Sequence, residues 1–358
     1  MGSKFVLDKQ ESKKLDTGET LYRINYSAEF ISERNRRFYD DGDDEFEAVV
    51  KGGWLESEEN LSQEGQCIVE DDACVYGKAL VSGDAHVYQD AVISGNAKVS
   101  GKAEVRERVV VYGDARVEER ARLSGNVRVG GKSVISGQAR LRDYTELADA
   151  KVRDDAVISD YARIEGAEIT GEARVYGYAY IGSGARVFDQ ACVFGHAKVY
   201  NSARVFGAAR VYGYAKVYDH ADIYGRACIF GTDAALYDNA RAYDDARIYD
   251  CAQVYAHARV MDEAEVFGDA RMFNHADAFG KAKLYGFAEL SDESRIYGKA
   301  RVYDKACVKN GCDVYGDAEV CHEAVLTDEN ERFQTGVIQK TPDDRYTFEM
   351  RRRMMRRF

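Results

Sequence analysis

A six-residue beat runs almost without interruption from Val69 to Leu326, and it leaves few folds open to the chain. The stretch "VFGAARVYGYAKVYDHADIYGRACIFG", Val205 to Gly231, shows its form: an aliphatic residue, a variable residue, Gly or Asp, a polar residue, Ala, and a second variable residue. About 44 such hexads occur. Residues two apart in a strand point to the same face, so each Ala and the aliphatic residue after it share an inward side while their neighbours point out. The unit is too short for a helical pattern and too regular for a sandwich. Gly, Asn and Asp at the third and fourth positions tolerate the positive φ of a tight corner. Ala at the fifth position leaves room for its own copy in the next coil. The single proline, Pro342, lies outside the repeat, as expected if every strand amide must bond a neighbouring coil.

The Ile/Val-x-x-x-Ala-x beat resembles the hexapeptide repeat of left-handed parallel β-helices. That resemblance implies an all-β, single-stranded solenoid of triangular coils, about 14 to 15 coils of about 18 residues and roughly 70 Å long at sheet spacing. The left hand is implied by the resemblance alone, because the usual crossover rule predicts the opposite. The beat slips at three places: Leu147 to Val152 and Ile164 to Ile169 are one residue short, and Ile229 to Leu236 is one long. Corner bulges or tightened turns are expected to absorb such slips.

Three segments follow. Residues 1–66 read as an N-terminal acidic cap, residues 67–327 as the repeat, and residues 328–358 as a C-terminal cap and basic tail. In the first, "ETLYRINYSAEF" predicts a strand and the start of a helix; an open coil end is a bare sheet edge and needs such a cover. "GGWLESEENLSQEGQC" is similar to the leader of hexapeptide arrays in phage, prophage and gut-bacterial proteins often labelled polymer-forming. "GVIQKTPDDRYTFEM" predicts a hairpin turning at Pro-Asp-Asp. Charge is polarised: residues 1–66 hold 16 acidic against 9 basic residues, the last nineteen hold 3 against 7, and the whole chain carries −12. That balance argues against nonspecific coating of nucleic acid by the whole surface, although the tail, with Arg351, Arg352, Arg353, Arg356 and Arg357, offers a possible nucleic-acid contact. Eight irregularly spaced cysteines are not a disulfide framework. The start of the chain lacks an apolar signal core, and no stretch is long and apolar enough to span a bilayer, which predicts a cytoplasmic protein with no membrane partner.

Chemistry is harder to find. Many hexapeptide-repeat proteins are acyltransferases with a histidine near a loop thrown out from the coil; this array has no such loop, and no small-molecule substrate or cofactor is evident. His220, His257 and His275 fall in one corner column, and His257 with His275 is a weak candidate metal pair, without an evident third ligand. Aromatic residues are the strongest signal. From Tyr176 to Tyr315 the outward second position is aromatic in about 20 of 24 hexads. One face reads Tyr176, Phe194, Tyr212, Phe230, Tyr249, Phe267, Tyr285, Tyr303, with Arg210 and Arg247 beside it, and this column is the expected contact. A continuous apolar column exceeds what monomers usually expose. The expected function is therefore a non-enzymatic, phage- or prophage-associated scaffold that binds a protein partner or itself. The alternatives are an acidic inhibitor of a host nucleic-acid or defence enzyme, and a hexapeptide acyltransferase.

Overall fold

The computed structural model describes residues 3–38, 50–328, 331–340 and 346–349. The chain divides into two compact units, Met1–Glu172 and Ala173–Phe358. Between them they hold about 16 coils of a parallel β-solenoid, each of about 18 residues. That is slightly more than the hexads predict, because parallel pairing requires only backbone. Trp54–Leu55 already pairs with Cys74–Val75, and Val337–Lys340 still pairs with Glu319–Cys321, although neither segment carries the beat.

Each hexad contributes a two-residue strand, the outward residue and the aliphatic one, which pairs with the strand one coil on. In the first unit Leu80–Val81 pairs with Lys98–Val99, and Arg116–Val117 with Val134–Ile135. In the second unit Lys198–Val199 pairs with Lys216–Val217 and Arg204–Val205 with Asp222–Ile223. The amides of Phe194, His196 and Lys198 donate to Val211, Gly213 and Ala215 at 3.0, 2.7 and 2.9 Å, so one hexad makes three bonds to the next coil. The inward Ala and Val, Ile or Leu side chains are buried, many completely, which leaves no space for a larger fifth residue.

The third position carries the positive φ expected of it, +70° at Gly195 and +58° at Asp189. Asp there does more than tolerate the angle. The carboxylates of Asp189, Asp262 and Asp304 accept from the corner amides of Gly207, Gly280 and His322 in the next coil, at 3.0, 2.9 and 3.1 Å. The slips are absorbed at corners. Val134 pairs with Lys151, seventeen positions on, across the tightened turn at Asp149, whose φ is +52°. At the long slip the amides of Thr232 and Asp233 both donate to the carbonyl of Asp250, at 3.1 and 3.0 Å, while Gly231 takes φ +126°. Two residues thus oppose one, a bulge that restores the register.

The N-terminal cover is a strand Phe5–Lys14 antiparallel to Thr20–Tyr26, followed by the helix Ala28–Phe38. Phe5, Leu21, Ile24 and Leu55 are buried. Three polar side chains supply bonds that a preceding coil would otherwise make. The Tyr26 hydroxyl accepts from the Val69 amide at 2.8 Å and donates to its carbonyl at 3.0 Å. The Asn60 amide donates to the carbonyls of Gly77 and Ala79 at 3.1 and 2.9 Å. Arg23 donates to Gly52 and Asp71 and lies over the Trp54 ring at 3.7 Å. At the other end Val337–Lys340 and Tyr346–Glu349 form the expected antiparallel hairpin; Pro342, Asp343 and Asp344 lie outside the described residues.

Candidate interaction surface

Position two of each hexad follows the buried aliphatic residue and points out, and parallel register sets its copies about 4.8 Å apart, close to the offset-stacking distance of aromatic rings. In the second unit the column predicted from the sequence forms in full. Tyr176, Phe194, Tyr212, Phe230, Tyr249, Phe267, Tyr285 and Tyr303 stack with centroids 4.8–5.1 Å apart and planes within 8° of parallel. A second column runs Tyr200, Tyr218, Tyr237, Tyr255, Phe273. A third has rings from Phe188 to Tyr243, then Met261, then Phe279 to Tyr315. The eight rings of the first column are each half-buried, because neighbouring rings cover their faces and leave edges to solvent. Burial also pushes the phenols up, to about 12 for Tyr237 and Tyr249; the Tyr249 hydroxyl also donates to Glu265 at 3.3 Å. Of the two predicted cations, Arg210 lies over Phe194 and Tyr212 at 5.5 and 5.7 Å, whereas Arg247 stands in the strand column between Cys228 and Glu265. His257 and His275 stack on each other at 4.8 Å. Arg351, Arg352, Arg353, Arg356 and Arg357 lie outside the described residues.

Among the described residues, the most exposed rings are not in these columns. Tyr178, His196 and Tyr214 occupy the fourth position, beside the eight-ring column, and stack at 4.9 and 4.7 Å. Tyr178 and Tyr214 are 56% and 55% exposed, and Phe287, at the same corner position further on, is 62% exposed. On the other side of that corner an open groove of about 620 Å³ is lined by Tyr180, Lys198, Tyr200, Lys216 and Tyr218. Gly182 makes room for it, since a Cβ there would lie 2.7 Å from Tyr200 Cβ and 2.9 Å from Tyr180 Cε1. Lys216 is held by Asp233 at 2.7 Å. The signal was present in the sequence, as rings at a position that is elsewhere polar.

Sequence reasoning also missed a charge ladder alongside the third column. Asp222, Asp277 and Asp313 are buried at outward strand positions. Each accepts a two-pronged guanidinium, from Arg204, Arg259 and Arg295, at 2.5–2.8 Å. These carboxylates raise the arginine pKa values through the hydrogen bonds. In the first unit a cleft of about 390 Å³ is lined by Arg106, Arg122, Arg140 and Arg142 around Ser124, with Glu104 as its one acid. No protein-family model matches the chain, and no curated protein matches it.

Proposed function

We propose that the chain is a non-enzymatic interaction scaffold, and that its second unit makes contact through the eight-ring column and the exposed corner beside it. The observation that carries this reading is the stacked trio Tyr178, His196 and Tyr214. Two of its three rings are more than half exposed, next to a groove where the column Tyr180, Lys198, Lys216 runs beside the stacked Tyr200 and Tyr218. Tyrosine, with its large ring and polar tip, is enriched in protein contact surfaces. The eight-ring column runs beside the trio, and each stacked pair in it adds about 0.5–1.5 kcal/mol to the coils that carry both. The same reading takes the solenoid as a left-handed hexapeptide-repeat helix, phage- or prophage-associated and working in the cytoplasm, with a second copy of the chain as the first partner to test.

The test is native mass by light scattering over a hundredfold range of concentration. The reading expects growth in mass for the parent and its loss in Tyr178→Ser with Tyr214→Ser, which leaves the core and the eight-ring column intact. Phe194→Asp with Phe230→Asp, which breaks the column, disperses the assembly as well. A parent that stays monomeric throughout rejects self-association, and growth that survives both double variants rejects this surface.

A further inference from the structure

At the end of the eight-ring column the next coil replaces the ring with a thiol. Cys321 follows Tyr303 in register, and its strand Glu319–Cys321 is pinned from the other side by Val337–Lys340. Its thiol is buried, yet its surroundings are polar. The His322 Nδ1 lies 3.0 Å from Cys321 Sγ, and the same nitrogen lies 3.9 Å from the Asp304 carboxylate. The ligand atoms of Asp304, Cys321 and His322 all fall within 4.8 Å of one another.

We propose that Asp304, Cys321 and His322 form a binding site for a divalent transition metal of borderline softness, with Zn²⁺ as the fitting ion. Three features lead there. The donors are one thiolate, one imidazole and one carboxylate, a set that suits Zn²⁺ and is poorly matched to Mg²⁺ or Ca²⁺, which take oxygen ligands. The spacing is close to that of a chelate, with all three ligand atoms within 4.8 Å of one another: bonds of about 2.0–2.3 Å in a tetrahedron set neighbouring ligand atoms about 3.4–3.6 Å apart. The observed 3.0 and 3.9 Å lie on either side of that range. The adjustment falls on His322 and Asp304, whose side chains are 60% and 50% exposed, with Asp304 keeping its bond from the His322 amide, while Cys321 is fixed by its strand. Third, both contacts of the ring run to one nitrogen. A nucleophile relay needs the carboxylate on the nitrogen opposite the thiol; convergence on Nδ1 is the arrangement of a chelate. Tyr303, whose hydroxyl donates to Glu319 at 3.2 Å, borders the site, and a fourth coordination position is left for water. A bound ion adds a second tie from Asp304 to the following coil, beside its bond from the His322 amide, and stabilises the end of the array.

The experiment is titration of the reduced, metal-stripped full chain with Co²⁺, reading the thiolate-to-cobalt charge-transfer band, followed by displacement with Zn²⁺. Expected is a band that saturates at one equivalent, is bleached by Zn²⁺, and is lost in Cys321→Ser. Asp304→Ala and His322→Ala each weaken binding tenfold or more, while His257→Ala leaves it unchanged. The unfolding midpoint of the parent rises with Zn²⁺ and that of Cys321→Ser does not. A parent without a thiolate band, or a band that survives Cys321→Ser, overturns the site.

Discussion

At the scale of single residues, the corner is where this protein's chemistry is most demanding. Ala256 holds φ +58° where most corners use Gly, Asp or Asn. A Cβ in that region costs about 1–2 kcal/mol, partly offset in glycine by its larger loss of backbone freedom. Ala256→Gly is therefore expected to stabilise by about 0.5–1 kcal/mol, read as a higher urea midpoint. Gly225→Ala runs the other way: its Cβ would sit 2.8 Å from the Asp244 amide nitrogen at φ +67°, so the midpoint falls. The stacked phenols make a second test. Burial raises Tyr218, Tyr237, Tyr249 and Tyr303 above the ordinary phenol value. A raised folded pKa means that the stabilisation is complete below the unfolded value, about 10, and is lost as pH climbs toward the folded value. Tyrosinate absorbance at pH 11 should thus be about nine-tenths developed in denaturant and well below that in the native protein; coincident curves would show that the ladder does not desolvate its hydroxyls.

At the scale of elements, register governs everything, because a one-residue shift turns inward side chains outward. Thr232 is the exception, since it shares the Asp250 carbonyl with Asp233 and is the added residue of its bulge. Its deletion restores the regular beat and should leave the circular-dichroism melt nearly unchanged. Deleting the fully buried Val266 instead puts the outward Phe267 at an inward position and should unfold part of the second unit. The buried Asp column makes a graded prediction. Asp313 is 1% exposed and accepts from Arg295 at 2.8 Å while Arg332 lies 3.2 Å away. Asp313→Asn removes the charge and one acceptor while keeping the shape, and should cost about 1.5–3 kcal/mol, the range for hydrogen bonds to charged groups. Because both arginines remain half-exposed, the lower end is expected.

At the scale of the whole molecule, the net charge of −12 sets how copies meet. If rings make the contact, association should strengthen as pH falls toward the isoelectric point near 5.2 and as added salt screens the repulsion. Sedimentation at two salt concentrations decides it, since weakening with salt would assign the contact to charge pairs instead. Strand positions, corner residues, the eight-ring column and the location of each slip were legible in the sequence, because a strict period assigns every residue a face and a neighbour one coil away. The sequence did not show which rings stay exposed. Tyr176 and Tyr178 are the same residue two positions apart and each stacks on a ring one coil on, but the strand face half-buries the first while the corner leaves the second 56% exposed. Nor did it show the Asp304, Cys321 and His322 cluster. Successive side chains in a strand point to opposite faces, so Cys321 and His322 read as divergent. The left-handed φ of +59° at His322 breaks that alternation, and register with the preceding coil brings in Asp304. The sequence by itself determined the periodic backbone, since six-residue spacing is a local property repeated along the chain. Tertiary structure alone decided exposure and convergence, because both depend on side chains one coil apart in space.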